Sequence, residues 1–312
     1  MKLTHEMLDR LDQLETKYSV MGQDMMSYLD GLIHADYLTY WDYVHLDTLL
    51  SLQTPRTPLP DERIFIMYHQ ITELYFKLII QAIEQVIFEE TPDAMLFKRQ
   101  LQRVNRYFEH LIDSFDVMVE GMDKDEFLKF RMSLLPASGF QSGQYRKIEI
   151  LSADLYSLVH FTKRTELTPE ADVESLYKCL YWKWGATELA TGKKTLTLKQ
   201  FEQKYGNEFV GLATRVKSCN IWQTYLKLSA EHRQDKELKN LMRQYDFSAN
   251  VSWPLMHFRS AVRYLDNKPQ VIAATGGTNW QQYLPPKEQR VTYFPELWEE
   301  VELESWGKKT KL

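Results

Sequence analysis

Apolar residues three and four positions apart recur along almost the whole chain, which is the period of helices that each bury one face. No series of alternating strands and no N-G or D-G hairpin interrupts them, so the spacing predicts an all-α fold. The longest stripe runs through Ile64, Met67, Tyr68, Ile71, Leu74, Tyr75, Leu78, Ile79, Ala82, Ile83 and Val86 and predicts a buried helix that ends near Ile87. To one side of that stripe lies a second face of Phe65, His69, Thr72 and Phe76. A histidine between two phenylalanines either serves a site or is a core histidine with a partner. Glu73, four residues on, is the candidate partner.

Other elements follow from the same period. Helices are expected over about 4–17, 20–33 and 38–50, and the proline-rich stretch 53–60 is a loop. A second long helix runs from Met95 to about Val119, antiparallel to the first because the connection is short. A shorter one covers Lys124–Leu134. Ser138 and Gln141 have the spacing of a capping box for a helix over Phe140–Leu158. Residues 160–250 read as helices with polar faces, broken near 165–169, 192–197 and Gly206, and are expected to be a peripheral insertion in a single domain of residues 1–312. Ser252 has the character of an N-cap for a helix over 253–265 with Pro254 in its first turn. A glycine loop, Thr275-Gly-Gly, follows.

Composition narrows the function. The 312 residues are 44% hydrophobic and 26% charged, enough for a large core, and 13% are aromatic, which suits enclosure of a planar ligand or large helix contacts. A formal charge of -5 gives no overall attraction to nucleic acid. No apolar run is long enough to span a membrane and no signal peptide opens the chain, so a cytoplasmic protein is expected. Cys179 and Cys219 are isolated, which argues against a disulfide framework. Zinc-helix, P-loop, dinucleotide and nucleophile-elbow motifs are absent, as is any Glu-x-x-His pair of a di-iron bundle.

What remains is His69 and His257, each on an amphipathic helix beside aromatic residues, and Arg131, four residues after Phe127. Haem iron takes a single proximal histidine, with a second polar group on its other side. Arginine suits a carboxylate because its planar fork donates two parallel hydrogen bonds; Arg131 equally suits the C-terminus of its own helix.

The order of these pieces, Tyr40-x-x-Tyr43-Val44, Phe65-Ile-x-x-His69-Gln, Arg131, Pro136-Ala-Ser138-Gly139-Phe-Gln-Ser-x-Gln-Tyr-Arg-x-Ile-Glu149, Trp253-x-x-x-His257, Thr275-Gly-Gly and Phe294-Pro-Glu-Leu-Trp298, resembles the tryptophan 2,3-dioxygenase family. The resemblance covers about residues 38 to 300. It implies an all-helical bundle enclosing one haem b per subunit, in a homotetramer that acts on L-tryptophan and O2, with no nucleic acid or membrane partner. On that basis His257 is the axial iron ligand, with Ser138, Gly139 and Trp253 beside the haem. His69 is the catalytic residue that accepts the indole N–H. Phe65 and Phe127 wall the substrate, Arg131 binds its carboxylate and Thr275 its ammonium. Tyr40, Tyr43 and Val44 are similar to residues that the family supplies from a neighbouring subunit. Two departures stand out. Pro254, Leu255 and Met256 occupy positions where the family shows arginines, and the glycine loop continues Thr-Asn-Trp280. They keep open a histidine-ligated mono-oxygenase acting on another indole or phenol, or a non-catalytic haem- or indole-binding protein.

Overall fold

A computed structural model describes residues 3–35, 38–91, 93–134, 141–187, 193–265 and 284–308. Among these residues there is no strand, only two isolated antiparallel bridges, Val159 with Leu180 and Thr187 with Lys194. The chain divides into two compact units, Met1–Thr54 and Pro55–Leu312.

The first unit contains α1 (His5–Val20), α2 (Met25–His34), α3 (Tyr40–Tyr43) and α4 (Leu46–Leu50). Thr4 caps α1 by accepting from the Met7 amide, and Asp24 caps α2 by accepting from Met26 and Ser27. Tyr18 and Tyr28 stack with centroids 4.4 Å apart. None of the four helices has a buried residue. Met26, Leu32, Ile33, Tyr40, Trp41 and Tyr43 all stand exposed.

The second unit is built on α5 (Asp61–Ile87) and α6 (Ala94–Ser114), whose N-cap Asp93 accepts from Met95 and Leu96. The two long helices run antiparallel: Gln85 bonds Gln100, Tyr75 faces His110 and Tyr68 meets Phe115, so contacts step down one helix as they step up the other. The expected second helix is not continuous. It stops at Ser114, and after Phe115 a short α7 (Asp116–Val119) follows. Then come α8 (Lys124–Phe130), a 3₁₀ turn over Arg131–Leu134, and α9 (Gly143–Ser152). The cap of α9 is Ser142, which accepts from the Tyr145 amide, so this helix starts later than the Ser138–Gln141 pattern implied; Ser138 itself lies outside the described residues.

The longest apolar stripe of α5 is buried only in part. Tyr68, Ile79, Ala82, Ile83 and Val86 are buried, together with Thr72 and Phe76 of the second face, whereas Met67, Ile71, Leu74 and Leu78 are exposed. The second face therefore borders the core, and one edge of the stripe faces outward.

Shorter helices α10 (Val173–Lys178) and α11 (Tyr181–Trp184) precede α12 (Leu196–Val216), and α13 (Ile221–Lys227) and α14 (Ala230–Gln234) lead to α15 (Lys236–Phe247). Gly206 lies inside α12 rather than at a break. Packing outweighs the roughly 1 kcal/mol that a helical glycine costs; a Cβ there would already stand 3.7 Å from the Tyr177 hydroxyl. Residues 160–250 are not polar throughout: Leu198, Phe209, Leu238, Met242 and Tyr245 join Phe76, Ile83 and Phe108 in one hydrophobic core. From α15 the chain passes through a π-turn at Ser248–Ser252 straight into α16 (Trp253–Leu265). Ser252 is thus not an N-cap and Pro254 does not lie at the start of a helix.

Glu62, in the first turn of α5, fixes the loop that enters it. Its carboxylate accepts from the amides of Arg56 and Thr57, at 2.8 and 2.7 Å, and from the Thr57 hydroxyl at 2.6 Å. Burial alone would raise its pKa, but these bonds and the Arg56 charge prevail and hold it below the ordinary value of 4.5. A depressed carboxyl stabilises the fold above the unfolded-state pKa and loses that contribution as pH falls through the folded-state value. Glu62→Gln is expected to lower stability at pH 7 by about 1.5 kcal/mol, the order of hydrogen bonds to a charge that water partly screens. The gap to the parent should close below pH 4, as read by urea unfolding at the two pH values.

Candidate functional site

The site begins with His69 on α5. Its Nδ1 lies 2.7 Å from the Phe65 carbonyl oxygen one turn earlier. A carbonyl only accepts, so in the neutral ring Nδ1 carries the proton and Nε2 presents a lone pair. Part of the ring surface is accessible, yet burial in the surrounding protein lowers its pKa against the opposing effects of the Phe65 bond and Glu73. That combination places the ring in a recess rather than on a convex surface. Glu73 is not its hydrogen-bond partner; the Glu73 carboxylate and carbonyl both accept from Gln144 of α9, at 2.9 and 2.7 Å.

Aromatic rings line the recess. Phe65 lies 4.1 Å from His69 and 6.2 Å from Phe127, while Phe130 meets both phenylalanines edge-on or nearly so. Tyr68 stands perpendicular to His69 and packs on Phe115. Phe115 also touches Trp253, at 4.8 Å, and His257, at 6.2 Å, which joins the α5 wall to the α16 wall. Phe76 meets Trp253 edge-on from the core side.

His257 is neutral. Burial, with a smaller effect from His69, pushes its pKa down to about 4, and the ring contacts His69–Tyr68, Tyr68–Phe115 and Phe115–His257 link the two imidazoles through one aromatic cluster. No hydrogen bond holds His257 among the described residues, and the small, buried Ser260 lies one turn on. The far end of α16 is pinned. Tyr264 donates to the Met118 carbonyl, Arg263 Nε donates to that of Val119, and the Tyr264 ring lies 4.5 Å from Phe127.

Arg131 is buried, with 7% of its surface accessible, so it is not a surface residue capping its helix. Burial lowers its pKa, but an arginine starts so high that it stays charged at neutral pH. Its helix is held against α5 by a reciprocal pair: the Asp123 amide donates to Asp61 at 2.6 Å and the Asp61 amide donates to Glu126 at 3.2 Å. Arg56 closes the turn by donating to the Ser133 carbonyl.

Behind these walls lie two buried polar clusters. Arg146, Glu149 and Tyr181 bond one another inside the core. Asp246, at the end of α15, accepts from Asn250, from the Tyr293 and Phe294 amides and from the Trp298 indole, at 2.8 to 3.1 Å. Burial pushes the Asp246 carboxyl up to about 6 against the pull of those donors.

The structure thus gathers Phe65, His69, Phe127, Arg131, Trp253 and His257 in one unit. Tyr40, Tyr43 and Val44 belong to the other, where Tyr40 and Tyr43 are 71% and 73% exposed. Ser138, Gly139 and Thr275 lie outside the described residues. Phe115, Tyr68 and Tyr264 also border the recess. Periodicity alone gave them no distinction from core residues. Asp246 lay in a stretch without a recognisable pattern, and only its donors reveal it.

Such a recess can take a flat aromatic molecule, accept a hydrogen bond from it at His69 and offer a neutral imidazole to a metal. Among the described residues no three histidine, cysteine or acidic side chains cluster, so His257 would ligate a metal as a single protein donor. No helix among them is long and apolar enough to cross a membrane.

Comparison with known proteins shows the family. The family model of tryptophan 2,3-dioxygenase matches residues 32–259. Relatives named tryptophan 2,3-dioxygenase from two Bradyrhizobium strains are 31% identical over 275 residues and 32% over 267, each match covering 84% of this chain and 91% of the relative. One from Bacillus anthracis is 29% identical over 280 residues, covering 85% of this chain and 94% of the relative. The chain belongs to the tryptophan 2,3-dioxygenase family.

Proposed function

We propose that this chain is a haem-dependent dioxygenase that inserts both atoms of O2 across the C2=C3 bond of L-tryptophan's indole and yields N-formylkynurenine. The observation that carries the reading is the recess itself, where an imidazole with its Nε2 lone pair free and a neutral His257 are joined through aromatic rings, with the buried Arg131 next in sequence to Phe130 of that ring cluster. The residues fit a haem. His257 has no competing hydrogen bond among the described residues, is uncharged and stands where Phe115 and Trp253 provide flat apolar walls. Haem b, when bound, supplies the iron chemistry that activates O2.

The chain's own residues orient the substrate. His69 accepts the indole N–H at Nε2, because its Nδ1 proton is committed to the Phe65 carbonyl. Phe65 and Phe127 flank the ring and exclude water, and Arg131 pairs with the carboxylate. By the family resemblance Thr275 would take the ammonium group, and Ser138, Gly139 and Trp253 would help to hold the haem. The altered glycine loop, Thr275-Gly-Gly-Thr-Asn-Trp280, motivates a mono-oxygenase as the second reading. Incubating the reduced, haem-loaded protein with L-tryptophan and O2 and assaying N-formylkynurenine tests the proposal.

A homotetramer in the cytoplasm, with one haem per subunit and Tyr40, Tyr43 and Val44 lent to a neighbour's site, completes it. Support comes from the exposed apolar residues of α1–α4 and from the outward stripe Met67, Ile71, Leu74 and Leu78 on α5, an area that water would otherwise wet. Ile71→Glu is expected to split the tetramer into smaller species in sedimentation velocity, and an unchanged tetramer would remove α5 from the interface.

A further inference from the structure

The helical run from Lys236 to Leu265 is uninterrupted, yet its inward positions break the α-helical rhythm. The buried residues Leu238, Met242 and Tyr245 of α15 follow steps of four and three, and the buried Ala249 of the π-turn lies four further on. In α16 the inward series is Trp253, His257, Ser260 and Tyr264, again at four, three and four. The two series are joined by another step of four. From Tyr245 to His257 an unbroken α-helix would over-rotate by about 120°, since each residue turns it about 100°. A π-turn absorbs one residue and leaves only about 20° of mismatch. The turn lies between the series, where the Trp253 amide donates to the Ser248 carbonyl five residues back.

Two residues account for this widening. Pro254 has no amide to give to the Asn250 carbonyl, and its ring crowds that oxygen, so the α-helical bond cannot close there. Asp246 then grips the opened segment from one turn earlier, bonding the Asn250 side chain at 2.8 Å and the Tyr293–Trp298 segment through three further donors.

We propose that Pro254 and Asp246 are positioning residues that hold one residue out of phase at the π-turn, so that His257 and Trp253 face the recess. In a regular α-helix Met256 would take the direction of His257, and Arg263 that of Tyr264. The role given to His257 rests on the haem reading above; the register does not.

The test uses the full chain carrying Pro254→Ala together with Asn250→Ala, which restores the amide and removes the clamp. In haem-free protein labelled with 5-fluorotryptophan, the Trp253 resonance, assigned by Trp253→Phe, is expected to move as its ring leaves Phe115 and Phe76. The resonances of tryptophans remote from the turn should stay in place, which separates a local change of register from unfolding. On haem titration, imidazole ligation seen in the parent should disappear. Exchanging the two side chains by Met256→His and His257→Met should restore it in the variant while abolishing it in the parent. An unmoved Trp253 resonance, or ligation retained through His257, would overturn the proposal. A parent that binds no haem through His257 while the resonance moves would sink the haem reading and leave the register intact.

Discussion

Replacing His257 by alanine is expected to remove the axial imidazole and with it almost all turnover, while the protein stays folded. His257 faces a recess, makes no hydrogen bond among the described residues and contributes little to the core, so its loss leaves no buried group unsatisfied. Removing an outer partner of a metal site costs roughly 10–100-fold, and removing the proposed axial ligand itself should exceed that. The readout is the spectrum of the haem-titrated variant beside a thermal melt. Added imidazole should recover the parent-like spectrum, since the cavity left by the side chain takes the free ligand. Ligation retained at parent stoichiometry without added imidazole would show that His257 is not the ligand.

Arg131→Leu should strike the substrate rather than the cofactor. A carboxylate entering this aromatic recess without its guanidinium leaves one charge buried and unpaired, a loss of about 2–5 kcal/mol. That corresponds to roughly 30-fold to several thousand-fold in kcat/KM at about tenfold per 1.4 kcal/mol. Lysine should rescue only part of it, because an ammonium cannot reproduce the paired donors. The discriminating measurement is the comparison of tryptophan with an indole that lacks the carboxylate. The variant should lose its preference for tryptophan and keep its haem spectrum, whereas an equal fall for both substrates would mean that Arg131 only supports the turn.

Much of this was legible in the order of residues. Helical period alone gave the all-α class and the two long helices, because burial of one face imposes that period whatever the function. It overstated how much of the α5 stripe is buried. Met67, Ile71, Leu74 and Leu78 are as apolar as the core, and a sequence does not distinguish a face that meets the core from one that faces outward. Arg131 was equally ambiguous, as its burial comes from Asp61 and Glu126 pinning α8 to α5 across more than sixty residues of chain. The hydrogen-bond state of His69 was hidden too. Glu73 had the better local claim, but Gln144 from another helix takes it. Pro254 read as a first-turn proline because nothing in the sequence says that the chain before it is already helical.

The central claim is that the recess dioxygenates tryptophan. Its most direct test is the product formed from L-tryptophan by reduced, haem-loaded protein under ¹⁸O-labelled O2, analysed by mass spectrometry before any exchange with water. The account expects N-formylkynurenine carrying both label atoms. A product with a single label atom, or tryptophan bound without turnover, would contradict it.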